Sequence, residues 1–585
     1  KMGIPTVAGA VFFHPHYTTN PLVFCGTVGI LPRDGHPTHI EAGDLVVVLG
    51  GRTGRDGLRG ATFSSLAMDE ETTRVSGGAV QIGHPIAEKQ VMEVMLRARD
   101  AGLYHAVTDC GAGGLSSAVG EMGKDLGAVV ELARVPLKYP GLDPWEIWLS
   151  EAQERMVLAV PAAAMPQLEA LARDHASEVT AIGTFGGGRV RVTFEGTVVG
   201  DLDPAFLHDG IPRRHLKASW VAPAAKAPEE AVDESADAPG AIAAGLVGRL
   251  ASANLGSRRA IVRRYDHEVG GGTVVRPLVG PGEGPSDAAV VVPREVRAAW
   301  LEDGASGPLA GVAIGVGMDP ELGLRDPYVM AWAAVDEAVR NVVAVGADPD
   351  AIAILDNFSW GDPRLPDRLG ALVRCTRGCH DAALHYGTPF VSGKDSLNNE
   401  WTDADGRRHA IPPTLVITAL GRVPDARRTV TSALRSAGDV VYALGVTLDA
   451  WAGLPDREAP GRYRALYGAI AAGLVTSCHD VGGSGLAGAL AEMAIGGRLG
   501  VEVVMARAPG AATLRPGRRA FATSPGRHLV TVAAAQVAAF EAAMEGHVWA
   551  RLGEVTAQPL VALGDTTTTL ADLEAAFATE AASPF

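Results

Sequence analysis

The sequence predicts an α/β (α+β) protein made by tandem duplication of a two-domain unit, on three observations. First, two segments repeat 371 positions apart: Ala101-Gly102-Leu103 leads to Asp109-Cys110-Gly111-Ala112-Gly113-Gly114-Leu115, and Ala472-Gly473-Leu474 leads to Asp480-Val481-Gly482-Gly483-Ser484-Gly485-Leu486. Ala42-Gly43-Asp44-Leu45 likewise matches Ala437-Gly438-Asp439-Val440, and Leu126-Gly127-Ala128-Val129 matches Leu499-Gly500-Val501-Glu502 more loosely. A repeat this long is no solenoid; it is a whole unit copied. Second, strand-like apolar runs alternate with helical periodicity inside each copy. Third, Pro223 to Pro239 is polar, acidic and without aromatic residues, so it reads as a flexible linker between the copies.

A further pairing joins Gly3-Ile4-Pro5-Thr6-Val7-Ala8-Gly9 to Gly387-Thr388-Pro389-Phe390-Val391-Ser392-Gly393. In the second copy 141 residues run from Leu246 to the residue before Gly387, whereas two precede Gly3. The expectation is a chain that starts inside a domain, its opening strands on preceding sequence. The boundaries read from these matches are 1–34 for the end of a first domain, 35–220 for a first α/β domain, 221–245 for the linker, 246–424 for the second copy's leading domain and 425–585 for its α/β domain.

The elements follow in order. Asp44-Leu45-Val46-Val47-Val48-Leu49 is a buried-strand run that ends at Gly50-Gly51. From Ile86 to Ala101, Val91, Val94, Met95 and Ala98 share one helical face, and Gly102 suits the position just past the helix. His105 to Thr108 is the next strand, and a helix opens near Ser116. Asp109 therefore sits at the carboxyl end of a strand, before a glycine turn into a helix. Glycines admit close backbone approach, a helix N-terminus offers N–H groups to an anion, and a carboxylate there suits Mg²⁺ shared with a phosphate. A plain strand-to-helix turn explains the same residues, and the sequence leaves both readings open. Gly50-Gly51-Arg52-Thr53-Gly54-Arg55-Asp56-Gly57 is equally a phosphate loop or a glycine-rich hairpin; it lacks the Gly-Lys-Ser/Thr ending of a P-loop.

Composition narrows the function classes. The 585 residues hold 51 Lys plus Arg against 67 Asp plus Glu, a net charge of −16, and no long basic run, which argues against nucleic acid or an anionic membrane as partner. No uninterrupted apolar run reaches transmembrane length, and the five scattered cysteines suit a reducing compartment, so a cytoplasmic location is expected.

Several octamers, in order, carry a specific resemblance. Gly50 to Gly57 with Ala61-Thr62-Phe63-Ser64-Ser65, Val80-Gln81-Ile82-Gly83-His84-Pro85, Asp109 to Ser117, and Leu149-Ser150-Glu151-Ala152-Gln153-Glu154-Arg155-Met156 form the first set. Tyr265-Asp266-His267-Glu268-Val269, Asp356-Asn357-Phe358-Ser359-Trp360-Gly361 and Ser392-Gly393-Lys394-Asp395-Ser396-Leu397 form the second. Together they resemble phosphoribosylformylglycinamidine synthase, the formylglycinamide ribonucleotide amidotransferase of purine biosynthesis, in its small-type synthetase subunit.

The resemblance implies a tandem pair of aminoimidazole ribonucleotide synthetase-like units, each a barrel-forming domain plus an α/β domain. It implies a carbon–nitrogen ligase that uses ATP and Mg²⁺: the amide oxygen of formylglycinamide ribonucleotide takes the γ-phosphoryl group, and ammonia displaces phosphate from the iminophosphate. Such chemistry needs positioning and charge neutralisation above all. Carried over by motif, substrate contacts fall on Gln81, on Glu151-Ala152-Gln153 and on Ser396, ATP contacts on Asp356 and Gly393, and a metal ligand on Asp109. One active site would then draw on both copies. Many members carry a metal-binding Asn where this chain has Lys394, so either Asp395 substitutes or Lys394 meets phosphate itself. His84, where many have Asp, reads as a supporting or structural residue. The family's catalytic histidine falls before Lys1, so the chain alone is expected to be inactive. No cysteine has a glutaminase-like setting, and the small-type resemblance implies a separate glutaminase subunit and a small bridging subunit.

The duplicate sharpens these roles. Phe521-Ala522-Thr523-Ser524-Pro525-Gly526-Arg527 aligns with Leu149 to Arg155, placing Thr523 at Glu151 and Pro525 at Gln153 while the arginine persists. The fold alone therefore does not require Glu151 or Gln153, and the arginine is expected to be structural in both copies. Cys375, Cys379 and His380 lack a second ligand pair at zinc spacing and read as helix core. Two rival readings are a catalytically incomplete scaffold and another ATP-dependent member of the same superfamily.

Overall fold

The computed structural model describes residues 2–18, 20–58, 83–223, 237, 239–403, 405–449 and 456–579. They form two compact units. The first holds Cys25–Leu216 with Glu400–His409; the second holds Gly3–Phe24, Lys217–Asn399 and Ala410–Phe585.

The first unit is built on seven strands: β1 (Leu45–Gly50), β2 (Ala106–Asp109), β3 (Ala128–Glu131), β4 (Arg155–Val160), β5 (Val179–Phe185), β6 (Val190–Phe194) and β7 (Thr197–Leu202), in the order β2-β4-β1-β5-β3-β6-β7. The central strand explains the apolar run. Val46 and Val48 of β1 pack with Leu115, Ala118 and Val119, while Val47 and Leu49 pack with Val91, Val94 and Leu168. Both faces of β1 are thus covered by helices, so every residue in it must be apolar. The helix Pro85–Asp100 starts on the His84 side chain with proline in its first turn and ends before Gly102 at φ +65°.

In the second unit an open six-stranded sheet comes first. Its strands are β8 (Thr273–Val275), β11 (Ala288–Val291), β12 (Gly311–Gly317), β13 (Ile352–Trp360), β14 (Phe390–Leu397) and β17 (Thr414–Val423), in the order β14-β13-β17-β12-β11-β8. A two-stranded ladder joins β9 (Leu278–Val279) to β10 (Gly284–Pro285); another, which but for Ala410 belongs to the first unit, joins β15 (Glu400–Thr402) to β16 (Arg408–Ala410). The parallel pair β13–β14 is connected by the helix Pro366–Tyr386, the long crossover that parallel strands require. Cys375 and Cys379 lie buried in that helix, as core. The helix Pro327–Ala344 is buried over nearly its whole length.

The last sheet repeats the first. Its strands are β18 (Val440–Leu444), β19 (Ser477–Asp480), β20 (Gly500–Val503), β21 (His528–Val532), β22 (Trp549–Thr556), β23 (Leu560–Leu563) and β24 (Thr567–Thr569), ordered β19-β21-β18-β22-β20-β23-β24. Substituting β18 for β1, β19 for β2 and so on reproduces the first order strand for strand. Even the parallel pairing recurs, β3 with β6 and β20 with β23.

The match of Gly3–Gly9 to the β14 region behaves differently. Residues 3 to 9 form no strand; one backbone bond, Thr6 N–H to the Asp266 carbonyl at 3.4 Å, holds them. A strand exists only when a neighbour takes its backbone hydrogen bonds, and this segment has no ladder among the described residues.

Candidate functional site

In the first unit three loops meet around Asp109. The carboxylate ends β2 and is exposed. Gly111 follows, and a Cβ placed there would lie 2.6 Å from Asp109 Oδ2, so any side chain at 111 would displace the carboxylate from this position. Gly113 and Gly114 take φ of +78° and +56° and open the helix Leu115–Met122. A Cβ on Gly114 would sit 1.9 Å from the Ser150 carbonyl, so its bareness lets the two loops touch. The Gly113 N–H donates to Glu151 Oε1 at 3.3 Å. Glu151 and Ala152 are buried, and the Gln153 amide donates to the Glu151 carbonyl at 3.1 Å. Beneath them Cys110 is buried, and that burial pushes its thiol up to about 11.

The glycine-rich segment is the third loop, and it is held tightly. Thr53 bridges to Leu137; Ser150 Oγ donates to the Gly54 carbonyl at 2.7 Å, and Lys138 Nζ pairs with Asp56. Arg55 forks onto the Glu146 carboxylate. His84 caps its helix, Nδ1 accepting from the Ala87 N–H at 3.3 Å, and its own N–H donates to the Glu154 carboxylate. Gln81, with residues 61–65, lies outside the described residues.

The donor set suits a hard cation: an exposed carboxylate on a strand end, a second carboxylate one loop away, and a helix N-terminus beside them. The crowding at Gly111 makes a cradle that a side chain would fill. Asp109 would hold Mg²⁺ there, and the ion would supply neutralisation of phosphate charge.

The second group of candidates gathers on β13 and β14. The register sets Asp356 against Gly393, Asn357 against Lys394 and Ser359 against Ser396. A Cβ on Gly393 would lie 2.7 Å from Asp356 Oδ1, so glycine is what lets the carboxylate lie across β14. Half-burial raises the Asp356 pKa, the nearby Asp395 raises it further, and the Lys394 backbone N–H opposes both. Lys394 is exposed, and its ammonium folds back to the Asp395 carbonyl at 2.8 Å. By strand alternation Lys394 and Ser396 share one face of β14, and Gly393 and Asp395 the other.

Asp480, the twin of Asp109, has different surroundings. It is buried, and the Arg340 guanidinium grips it from Nε at 3.1 Å and from Nη2 at 2.9 Å. Arg340 also pairs with Asp336, which accepts from Tyr386 Oη at 2.7 Å, Tyr463 Oη at 2.6 Å and the Gly526 N–H at 3.0 Å. On the other side His479 lies between Asp287, at 2.7 Å, and Glu492, at 3.2 Å. Burial opposes charging that imidazole, but the two carboxylates hold its pKa well above the usual value. Asp287, His479 and Asp480 are the one metal-type cluster among the described residues, with ligand atoms within 4.8 Å of one another. Sequence reasoning found Asp480 through the repeat and missed Asp287, Asp336, Glu337, Arg340 and Glu492. The available signal was three ionisable residues, Asp336, Glu337 and Arg340, within one turn of an apolar helix.

Strand order and the two glycine-turn sites place the chain among the AIR synthase related proteins. The C-terminal domain family of that class matches residues 41–195 and again residues 452–565, and its N-terminal domain family matches residues 286–423. Curated relatives are more specific. Phosphoribosylformylglycinamidine synthase subunit PurL of Deinococcus radiodurans is 35% identical, over 96% of this chain and 75% of its own length. The PurL subunit of Thermomicrobium roseum is 37% identical over 91% of this chain and 72% of its own. Among solved structures, Thermotoga maritima PurL complexed with FGAR aligns over 89% of this chain and 73% of its own, with a TM-score of 0.62 and 25% identity. The T. maritima PurLQS structure shares the fold over 95% of this chain and 79% of its own, with a TM-score of 0.64 and 24% identity. The chain belongs to the phosphoribosylformylglycinamidine synthase PurL family.

Proposed function

We propose that this chain takes part in the ATP-dependent conversion of formylglycinamide ribonucleotide and ammonia to formylglycinamidine ribonucleotide, ADP and phosphate. The observation that carries the reading is the junction of the Asp109 turn with the Glu151–Gln153 turn through Gly113, combined with family membership. Glu151 and Gln153 present polar groups that the second copy lacks, which is what a substrate contact, as opposed to a fold contact, should do. Asp109 offers the carboxylate for Mg²⁺, and the N-terminus of Leu115–Met122 offers N–H groups to phosphate oxygens. Asp356 and Gly393 are assigned to ATP and Ser396 to the ribonucleotide. Lys394 brings a fixed positive charge to the strand where relatives of the resemblance carry Asn. Gln81 keeps its assignment as a substrate contact from motif alone. Domain limits at 34, 220, 245 and 424 and a cytoplasmic location belong to the same reading; no helix among the described residues is long and apolar enough to cross a membrane.

In this reading the amide oxygen attacks the γ-phosphorus of ATP, ADP leaves, and ammonia displaces phosphate from the resulting iminophosphate. The protein's part is to align oxygen and phosphorus and to offset the spread of negative charge. Ammonia would come from glutamine on a separate glutaminase subunit, joined through a small bridging subunit. The test supplies the full-length polypeptide with the ribonucleotide, Mg-ATP and either ammonium or glutamine, and follows the product by mass spectrometry. Turnover with ammonium, and with glutamine only after a glutaminase is added, is the expected result. Silence under both conditions would favour a non-catalytic scaffold, and phosphorylation of another acceptor a different member of the superfamily.

A further inference from the structure

Arg155 is buried, and among the described residues its hydrogen-bond acceptors include no carboxylate. Its guanidinium instead spans two loops: Nε donates to the Ala152 carbonyl at 2.8 Å, Nη2 to the Ser150 carbonyl, and Nη1 to Thr53 Oγ1 at 2.9 Å. A buried charge on neutral acceptors is costly, so its retention calls for a purpose. Two more bonds run beside it, from the Glu151 N–H to the Asp56 carbonyl at 3.2 Å and from the Gly51 N–H to the Glu154 carbonyl at 2.8 Å.

The second copy has kept the pin. Arg527, also buried, donates from Nε to the Ser524 carbonyl at 3.1 Å, from Nη2 to the Ala522 carbonyl at 2.6 Å and from Nη1 to Thr447 Oγ1 at 3.3 Å. Acceptors three and five residues back and a threonine on the facing loop recur in both. What differs is the turn that is held: Glu151 and Gln153 in one, Thr523 and Pro525 in the other.

We infer that Arg155 is a positioning residue of the first copy. It fastens the glycine-rich loop at Thr53 to the turn carrying Glu151 and Gln153, so that both present their polar groups as one preformed surface to the ribonucleotide. The inference rests on the substrate role given to that turn above. A planar five-donor fork can reach three acceptors at fixed angles, and an ammonium cannot, so lysine keeps the charge and loses the geometry.

The experiment compares Arg155→Lys, Thr53→Val and Arg527→Lys in the full-length enzyme, measuring KM for the ribonucleotide, KM for ATP, kcat and thermal unfolding. Misplacement of substrate-contacting groups by about 1 Å costs on the order of 10²-fold. Arg155→Lys is therefore expected to lower kcat/KM by about that factor, mostly through KM for the ribonucleotide. Thr53→Val, which removes one hydrogen bond and keeps the arginine, should move the same KM in the same direction by less. Arg527→Lys should lower the unfolding temperature and leave that KM alone. Equal thermal losses in both arginine variants, with unchanged KM in Arg155→Lys and Thr53→Val, would overturn the positioning role. Glu151→Ala and Gln153→Ala separate the two readings. If they raise KM while the Arg155 and Thr53 variants do not, only the positioning role falls; if they too are silent, the substrate assignment falls with it.

Discussion

Asp109 and Asp480 end the same strand of the same seven-stranded order, each followed by a glycine turn and a helix, and their surroundings are opposite. Asp109 stands exposed before a turn whose Gly113 N–H donates to Glu151, whereas Asp480 is buried against the Arg340 guanidinium within a network of tyrosines and carboxylates. The Arg340 guanidinium lies against the second aspartate, whereas the first lies open at its strand end. One backbone design thus admits two kinds of surroundings for the same aspartate.

The largest effect should come from breaking the buried side of this contrast. Arg340→Met strips the partner from Asp336 and Asp480 at once, and removal of one member of a buried pair costs about 3–5 kcal/mol. Denaturant titration should register that loss, while the folded fraction keeps its KM values. Stability within experimental error of the parent would show that the network is ornamental.

Asp109→Asn should do the reverse, lowering Mg²⁺-dependent turnover at least ~10²-fold, or about 3 kcal/mol of transition-state stabilisation, with no change in unfolding temperature. Asp480→Asn should be felt in stability first. Turnover lost only in the Asp480 variant would mean that the copies have been assigned the wrong way round.

A pH series sharpens the same contrast. Burial, with the charge of Asp480 nearby, raises the Glu337 carboxyl to about 8 from an ordinary 4.5, although Arg340 opposes the shift. Between those values the folded chain holds a proton that the unfolded chain has released. The group's stabilising contribution is therefore complete below 4.5 and is lost as the pH rises through about 8. Glu337→Gln should flatten the decline in unfolding midpoint over that window; an unaltered slope would place the charge elsewhere.

Labelling should give the smallest effect. Cys25 is exposed, and the four other cysteines are buried. A thiol reagent on the native protein should therefore modify Cys25 alone and spare ammonia-dependent turnover. Stoichiometric reaction of Cys110 with a glutamine analogue, detected by mass spectrometry, would contradict the separate-glutaminase reading.

Much of this architecture was legible before any coordinates. The all-apolar Val46–Leu49 run is what a strand covered on both faces demands, and Gly102 and Gly473 both take the left-handed conformation their place in the repeat implied. Aligning Arg527 with Arg155 predicted a shared structural role, and the shared acceptor pattern gives its form. The network around Arg340 was not legible. Asp336, Glu337 and Arg340 stand out in sequence only as charges in an apolar helix, and their partners come from distant segments that packing alone brings to them. The Gly3–Gly9 match to the β14 region carries no strand with it, since likeness to β14 cannot supply the neighbour that a ladder needs.

The glycine turns carry a consequence for how such a gene can vary. A methyl group on Gly114 would strike the Ser150 carbonyl, and one on Gly485 would strike the backbone at Phe521. Under selection for growth without purines, a saturation library of this gene should therefore purge nearly every codon change at both glycines. Codons for Thr523 and Pro525 should tolerate far more alternatives than those for Glu151 and Gln153. Differential tolerance between paired positions would then chart chemistry, and shared intolerance would chart backbone shape, with the two maps drawn from one polypeptide under one selection.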